Sequence, residues 1–187
     1  MASTEIAILG GGESGVGAAV LAKKEGLVPF VSDAGSIKAK YKEVLTNYAI
    51  EWEENGHNRS RILACEEIVK SPGIPNHIEL IQQAEKTGIN VISEIEFAYR
   101  YCQGEIIAIT GSNGKTTTAS WVYHMLKKAE LNVRLVGNVG DSFALSVATN
   151  SADWYVLEVS SFQLDNIKDF RAKISMVLNI TPDHLDR

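Results

Sequence analysis

The densest chemistry in the sequence lies in ITGSNGKTTT, residues 109–118. Gly111, Ser112, Asn113, Gly114, Lys115 and Thr116 spell G-x-x-G-K-T between a short apolar run and a longer amphipathic one. Glycines let a backbone approach a phosphate chain closely, and consecutive N–H groups at a helix start point at the anion. Lys115 has the reach to meet β- and γ-phosphates, and the Thr116 hydroxyl can join a Mg2+ shell. The glycines stand closer together than in the common G-x-x-x-x-G-K-[ST] form. A structural glycine turn with a solvated lysine would not account for the order strand, turn, Lys, Thr, helix.

A Mg2+ site needs a second oxygen ligand, usually a carboxylate at the end of a neighbouring strand. DWYVLEVSS supplies Glu158 near the end of an apolar run, where an unpaired charge is costly. A salt bridge to Lys or Arg is the structural alternative. NITPDHLDR places Asp183, His184 and Asp186 just past another apolar run. That cluster suits a second metal or phosphate contact, although a helix N-cap explains the Asp equally well. GNVG, residues 137–140, sets Asn138 after a further strand.

A second glycine motif opens the chain. Gly10, Gly12 and Gly15 form G-x-G-x-x-G after the first strand, with Glu13 and Ser14 inside it and Asp33 at the end of the second strand. That spacing is the dinucleotide-binding fingerprint: pyrophosphate at a helix N-terminus, an acid near ribose or base. A UDP-linked ligand, an NAD-type ligand and an empty structural turn all remain open on these residues. The turn SPGIP, with Ser71, Pro72 and Gly73, closes a later strand on what should be the same edge.

The elements that must position these groups follow from the hydrophobic pattern. Residues 6–10, 29–33, 67–71 and 90–93 read as strands, bounded by Gly, Pro, Asp or Ser. Residues 14–25, 37–48 and 77–87 carry apolar residues at helical spacing, the last closed by Gly88. The pattern restarts with a strand at 106–110, a helix at 115–129 and strands at 133–137, 154–160 and 174–180, all read as buried. Such alternation implies mostly parallel sheets covered by helices. Two α/β domains are expected, 1–93 and 94–187, with the join near residues 94–104.

Composition fits that picture. The chain has 187 residues, 45% of them hydrophobic and 22% charged, with a net charge of −5. This is a globular balance, and the acidic sign argues against a nucleic-acid binder. Cys65 and Cys102 make neither a metal spacing nor a disulfide framework, so two free thiols in a reducing compartment are expected. No apolar run approaches the length of a membrane span and no signal peptide opens the chain, so a cytoplasmic monomer without membrane insertion is expected.

In that order, GSNGKTTT, VLEVSSFQL and NITPDHLDR resemble the Mur ligase family of peptidoglycan synthesis, and GGGESG, Asp33 and SPGIP extend the match over nearly the whole chain. The resemblance is to the D-glutamate-adding branch. It implies a Rossmann-like first domain that holds UDP-N-acetylmuramoyl-L-alanine, followed by a P-loop NTPase-type central domain with a mostly parallel sheet. ATP, Mg2+ and D-glutamate are the implied co-substrates and cofactor, and the implied reaction is amide-bond formation through an acyl phosphate. It assigns Gly111 to Thr117 to ATP, and Thr116, Glu158 and His184 to metal. The assigned catalytic set is Lys115, Glu158 and His184. The UDP substrate falls to Gly12, Glu13, Ser14, Gly15, Asp33, Ser71, Pro72, Gly73, Asn138 and Ser160. Family members often carry Thr and Arg after the strand-two acid, where this chain has Ala34 and Gly35, so backbone contacts to uracil are expected. Family members are also much longer, so the chain is expected to be an amino-terminal piece without ligase activity of its own. A redox module with an accessory NTP site, or a folate- or cyanophycin-type amide ligase, are the competing readings.

Overall fold

The computed structural model describes residues 4–182. In chain order the elements are β1 (Glu5–Leu9), α1 (Glu13–Lys24), β2 (Val28–Ser32), α2 (Ala39–Asn47), β3 (Glu51–Glu53), α3 (Arg59–Ile62), β4 (Glu67–Lys70), α4 (Glu79–Lys86), β5 (Asn90–Ser93) and α5 (Glu94–Tyr99). There follow β6 (Glu105–Thr110), α6 (Lys115–Lys128), β7 (Val133–Gly137), α7 (Phe143–Thr149), β8 (Trp154–Glu158), α8 (Ser161–Leu164) and β9 (Ile174–Val177). Two parallel sheets result, ordered β3-β2-β1-β4-β5 and β7-β8-β6-β9. The first order follows the doubly wound pattern 3-2-1-4-5-6 without its last strand.

Alternation along each strand divides the core. Ala7, Leu9 and Ile68 pack with Ile62 and Ile81 under α3 and α4. Ile6, Ile8 and Val69 face the other way, onto α1 and α5. The same cluster continues through Phe143 of α7 to Val136, Tyr155 and Leu157 of the second sheet. Ile107, Ile109 and Val156 then face Ala119 of α6. A middle layer of α1, α5 and α7 is therefore shared by both sheets, which accounts for α1 being buried all round from Gly15 to Ala22.

Close approach in that layer depends on one residue. A Cβ on Gly17 would lie 2.1 Å from Ser142 Oγ and 3.0 Å from the Leu145 nitrogen. Ser142 also caps α7 by accepting from Leu145 N–H, and its hydroxyl donates to Oε1 of the buried Glu94 at 2.9 Å. The Ala144 N–H donates to the same oxygen at 2.6 Å. Desolvation pushes the Glu94 carboxyl up to about 7, against the pull of these two donors. Two residues on, Oε2 of Glu96 accepts from the consecutive N–H groups of Lys168, Asp169 and Phe170. The segment expected to be a plain join is thus a buried helix clamped to both halves.

Two further departures from expectation are physical. β3 carries no usable sequence signal because EWE, though it alternates, is only three residues long. β9 was expected to be buried, but it is an edge strand with Ile174 and Val177 exposed. Nothing among the described residues pairs with its outer side.

Candidate functional site: two glycine loops at strand ends

Both glycine loops leave the C-terminal ends of parallel strands, where ligands gather in open α/β sheets. The first runs from Gly10 to Gly12, with Gly12 as the N-cap of α1 and Glu13 and Ser14 in its first turn. Gly15 is obligatory: its Cβ would sit 1.8 Å from the Gly10 carbonyl oxygen. Asp33 braces this loop from behind, Oδ2 accepting from Gly11 N–H at 2.6 Å and Oδ1 from Gly35 N–H at 2.8 Å. Ser71 N–H donates to the Leu9 carbonyl, which brings Ser71, Pro72 and Gly73 beside the glycines as the sequence suggested. The buried Ser71 Oγ has no hydrogen-bond partner among the described residues.

The second loop spans Gly111 to Gly114, with Gly114 as the N-cap of α6 and Lys115 and Thr116 in its first turn. Lys115 Nζ donates to the carbonyls of Gly111 at 2.7 Å and Ser112 at 3.1 Å. Thr116 and Thr117 are exposed. A cleft of about 420 Å³ lies against the loop, lined by Gly111, Ser112, Lys115, Ser160, Asn179 and Thr181 among others.

Glu158 ends β8 in register with Ile109 of β6 and Gly137 of β7. It is fully buried, and no Lys or Arg pairs with it among the described residues. The salt-bridge alternative therefore fails. Asn138 donates to Oε1, while Oε2 has no partner among the described residues. Ser160 is committed to a capping box with Gln163 at the start of α8. Asp183, His184 and Asp186 lie outside the described residues.

The site thus joins a phosphate-type loop to a buried carboxylate with a spare oxygen, an arrangement that suits a polyphosphate and a divalent cation. A glycine-loop N–H array on the other sheet suits a second diphosphate. Sequence reasoning missed Asn179, whose side chain bonds to the Asn113 peptide. It also missed the Glu94–Ser142 pair. Neither residue carries a local signal, because each partner is distant in the chain.

The fold and site define a parallel α/β protein with two glycine loops at strand ends. The model of the Mur ligase middle domain matches residues 109–187, and that of the MurD N-terminal domain matches residues 5–80. Two Mur ligase domain models, matched one after the other, thus account for most of the chain. The chain is 58% identical over 182 residues to the UDP-N-acetylmuramoylalanine–D-glutamate ligase of Bacteroides fragilis, and 57% identical over 183 residues to that of Porphyromonas gingivalis. These alignments cover 97% and 98% of this chain and 41% of each relative, so the chain spans about two fifths of their length. Among solved structures, the UDP-N-acetylmuramate:L-alanyl-gamma-D-glutamyl-meso-diaminopimelate ligase of Neisseria meningitides superposes with a TM-score of 0.65 at 19% identity. It covers 98% of this chain and 62% of that one, a likeness of fold.

Proposed function

We propose that this chain carries the UDP-substrate-binding domain and the phosphate-loop part of an ATP-dependent ligase that adds D-glutamate to UDP-N-acetylmuramoyl-L-alanine. The observation that carries the reading is Glu158: a buried carboxylate with an unpartnered oxygen, one strand over from the Lys115 loop. The names of relatives 57–58% identical over nearly the whole chain support the substrate assignment.

In this reading the domains divide as 1–93 and 94–187. Gly12 to Gly15, with the Ser71 to Gly73 turn, hold the UDP end, and Asp33 acts by shaping the loop through Gly11. Asn138 and Ser160 face the muramoyl part. Gly111 to Thr117 cradle the ATP phosphates, and Lys115 releases its loop carbonyls to meet them. Thr116 and Glu158 would hold one Mg2+, and His184 a second near the substrate carboxylate; when bound, the ions would offset the repulsion between that carboxylate and the phosphate. The carboxylate attacks the γ-phosphorus and the bond to the bridging oxygen breaks, giving an acyl phosphate and ADP; the amine of D-glutamate then attacks the acyl carbon, and phosphate leaves as the nitrogen loses a proton. Lys115 stabilises the charge that develops on the transferring group. The reading takes the enzyme as a cytoplasmic monomer. Among the described residues no helix is long and apolar enough to cross a membrane.

Calorimetric titration of the chain with UDP, UDP-N-acetylmuramoyl-L-alanine and NAD tests the reading. Binding of the two UDP ligands and not of NAD is expected. Micromolar binding of NAD with no response to the UDP ligands would overturn it.

A further inference from the structure

The phosphate loop is braced on its outer side by the segment that follows β9. Ser112 N–H donates to the Asn179 carbonyl at 3.0 Å. The Ser112 hydroxyl donates to the Thr181 carbonyl at 3.1 Å and accepts from Thr181 N–H at 2.9 Å. The Asn179 side chain closes the set on a single residue. Its Oδ1 accepts from Asn113 N–H at 2.9 Å and its Nδ2 donates to the Asn113 carbonyl, also at 2.9 Å.

This two-point bond fixes more than distance. A carboxamide offers one acceptor and one donor side by side, as a neighbouring strand would. Rotating the amide by half a turn would set donor against donor and acceptor against acceptor, so the orientation is determined by the network. Serine is too short to bridge both groups, and an ionised aspartate would set an acceptor against the Asn113 carbonyl. Ser112 and Asn113 spend their own N–H groups on Asn179, so the amides left to cradle an anion are those that follow, from Gly114 into the first turn of α6. Lys115 cannot do this holding, because its ammonium is the group that must leave Gly111 and Ser112 to reach a phosphate.

We propose that Asn179 is a positioning residue for the phosphate loop: its carboxamide holds the Asn113 peptide so that the amides that follow it, from Gly114 into the first turn of α6, face the bound phosphates. This rests on the reading of Gly111 to Thr117 as the nucleotide site. Nucleotide affinity then depends on the hydrogen-bonding pattern of the side chain at position 179.

The test is titration of the 187-residue chain with a fluorescent ATP analogue and Mg2+, beside Lys115→Ala, Asn179→Ala and Asn179→Asp. Asn179→Ala should weaken binding about tenfold, the loss of two hydrogen bonds. UDP affinity and the ligand-free melting temperature should hold. Asn179→Asp, ionised throughout the working pH range, should bind at least as weakly as Asn179→Ala, because its second oxygen meets the Asn113 carbonyl with no proton to donate. Wild-type affinity in Asn179→Ala, with Lys115→Ala defective, would overturn the proposal alone. So would wild-type affinity in Asn179→Asp. A folded wild-type chain that binds no nucleotide would overturn both the proposal and the reading beneath it.

Discussion

Asn138 Nδ2 donates to Oε1 of Glu158 at 2.8 Å and leaves Oε2, fully buried at the end of β8, without a partner among the described residues. One oxygen is oriented and the other is kept spare. A buried carboxylate arranged in this way is expensive unless something cationic completes it. Glu158→Gln should therefore remove the Mg2+ dependence of ATP-analogue binding while raising the ligand-free melting temperature. Titrations with and without Mg2+, beside a thermal melt, check both. A variant that keeps the full Mg2+ response would place the cation elsewhere.

Glu94 should give stability a pH slope of known sign. Its folded value, raised to about 7 by burial, lies above the unfolded carboxylate value. The native state therefore holds a proton that the unfolded chain has released. The stability associated with this group is full below about pH 4 and is lost as pH rises to about 7, by roughly 3 kcal/mol at most. Glu94→Gln keeps an acceptor for Ser142 and Ala144 and should abolish that slope. Urea melts at pH 5 and pH 8 measure it.

Gly17→Ala should cost about 1–3 kcal/mol, because the new methyl meets Ser142 Oγ and the Leu145 backbone. Urea unfolding followed by Trp52 in the first half and by Trp154 in the second should show one shared transition. Separate midpoints would mean that the common core does not couple the halves.

Glu96→Ala strands three consecutive N–H groups, those of Lys168, Asp169 and Phe170, that now share one oxygen. A loss of about 3 kcal/mol is expected. Hydrogen exchange should show these three amides opening first. Unchanged protection at all three would show that Glu96 is not what holds them.

Much of this fold was legible because its signals are local. The strand–glycine–helix starts at Gly10 and Gly111, the Gly88 helix stop and the buried Glu158 each declare themselves within a few residues. The middle layer does not. EIEFAY in α5 is buried along most of its length, so it shows no amphipathic period, and its acids look like surface residues until Ser142 and the 168–170 amides arrive from far along the chain. Asn179 reads as a polar residue after a strand, and only the pairing with Asn113, 66 positions earlier, gives it work. β9 deceived in the opposite direction, because its apolar run promised burial that an edge position does not provide.

The layer of α1, α5 and α7 also acts as a caliper with its screw tightened. Close-packed interiors yield little, so neither glycine loop can travel toward the other without breaking the Gly17–Ser142 contact. The span between the loops is therefore set in the fold before anything binds.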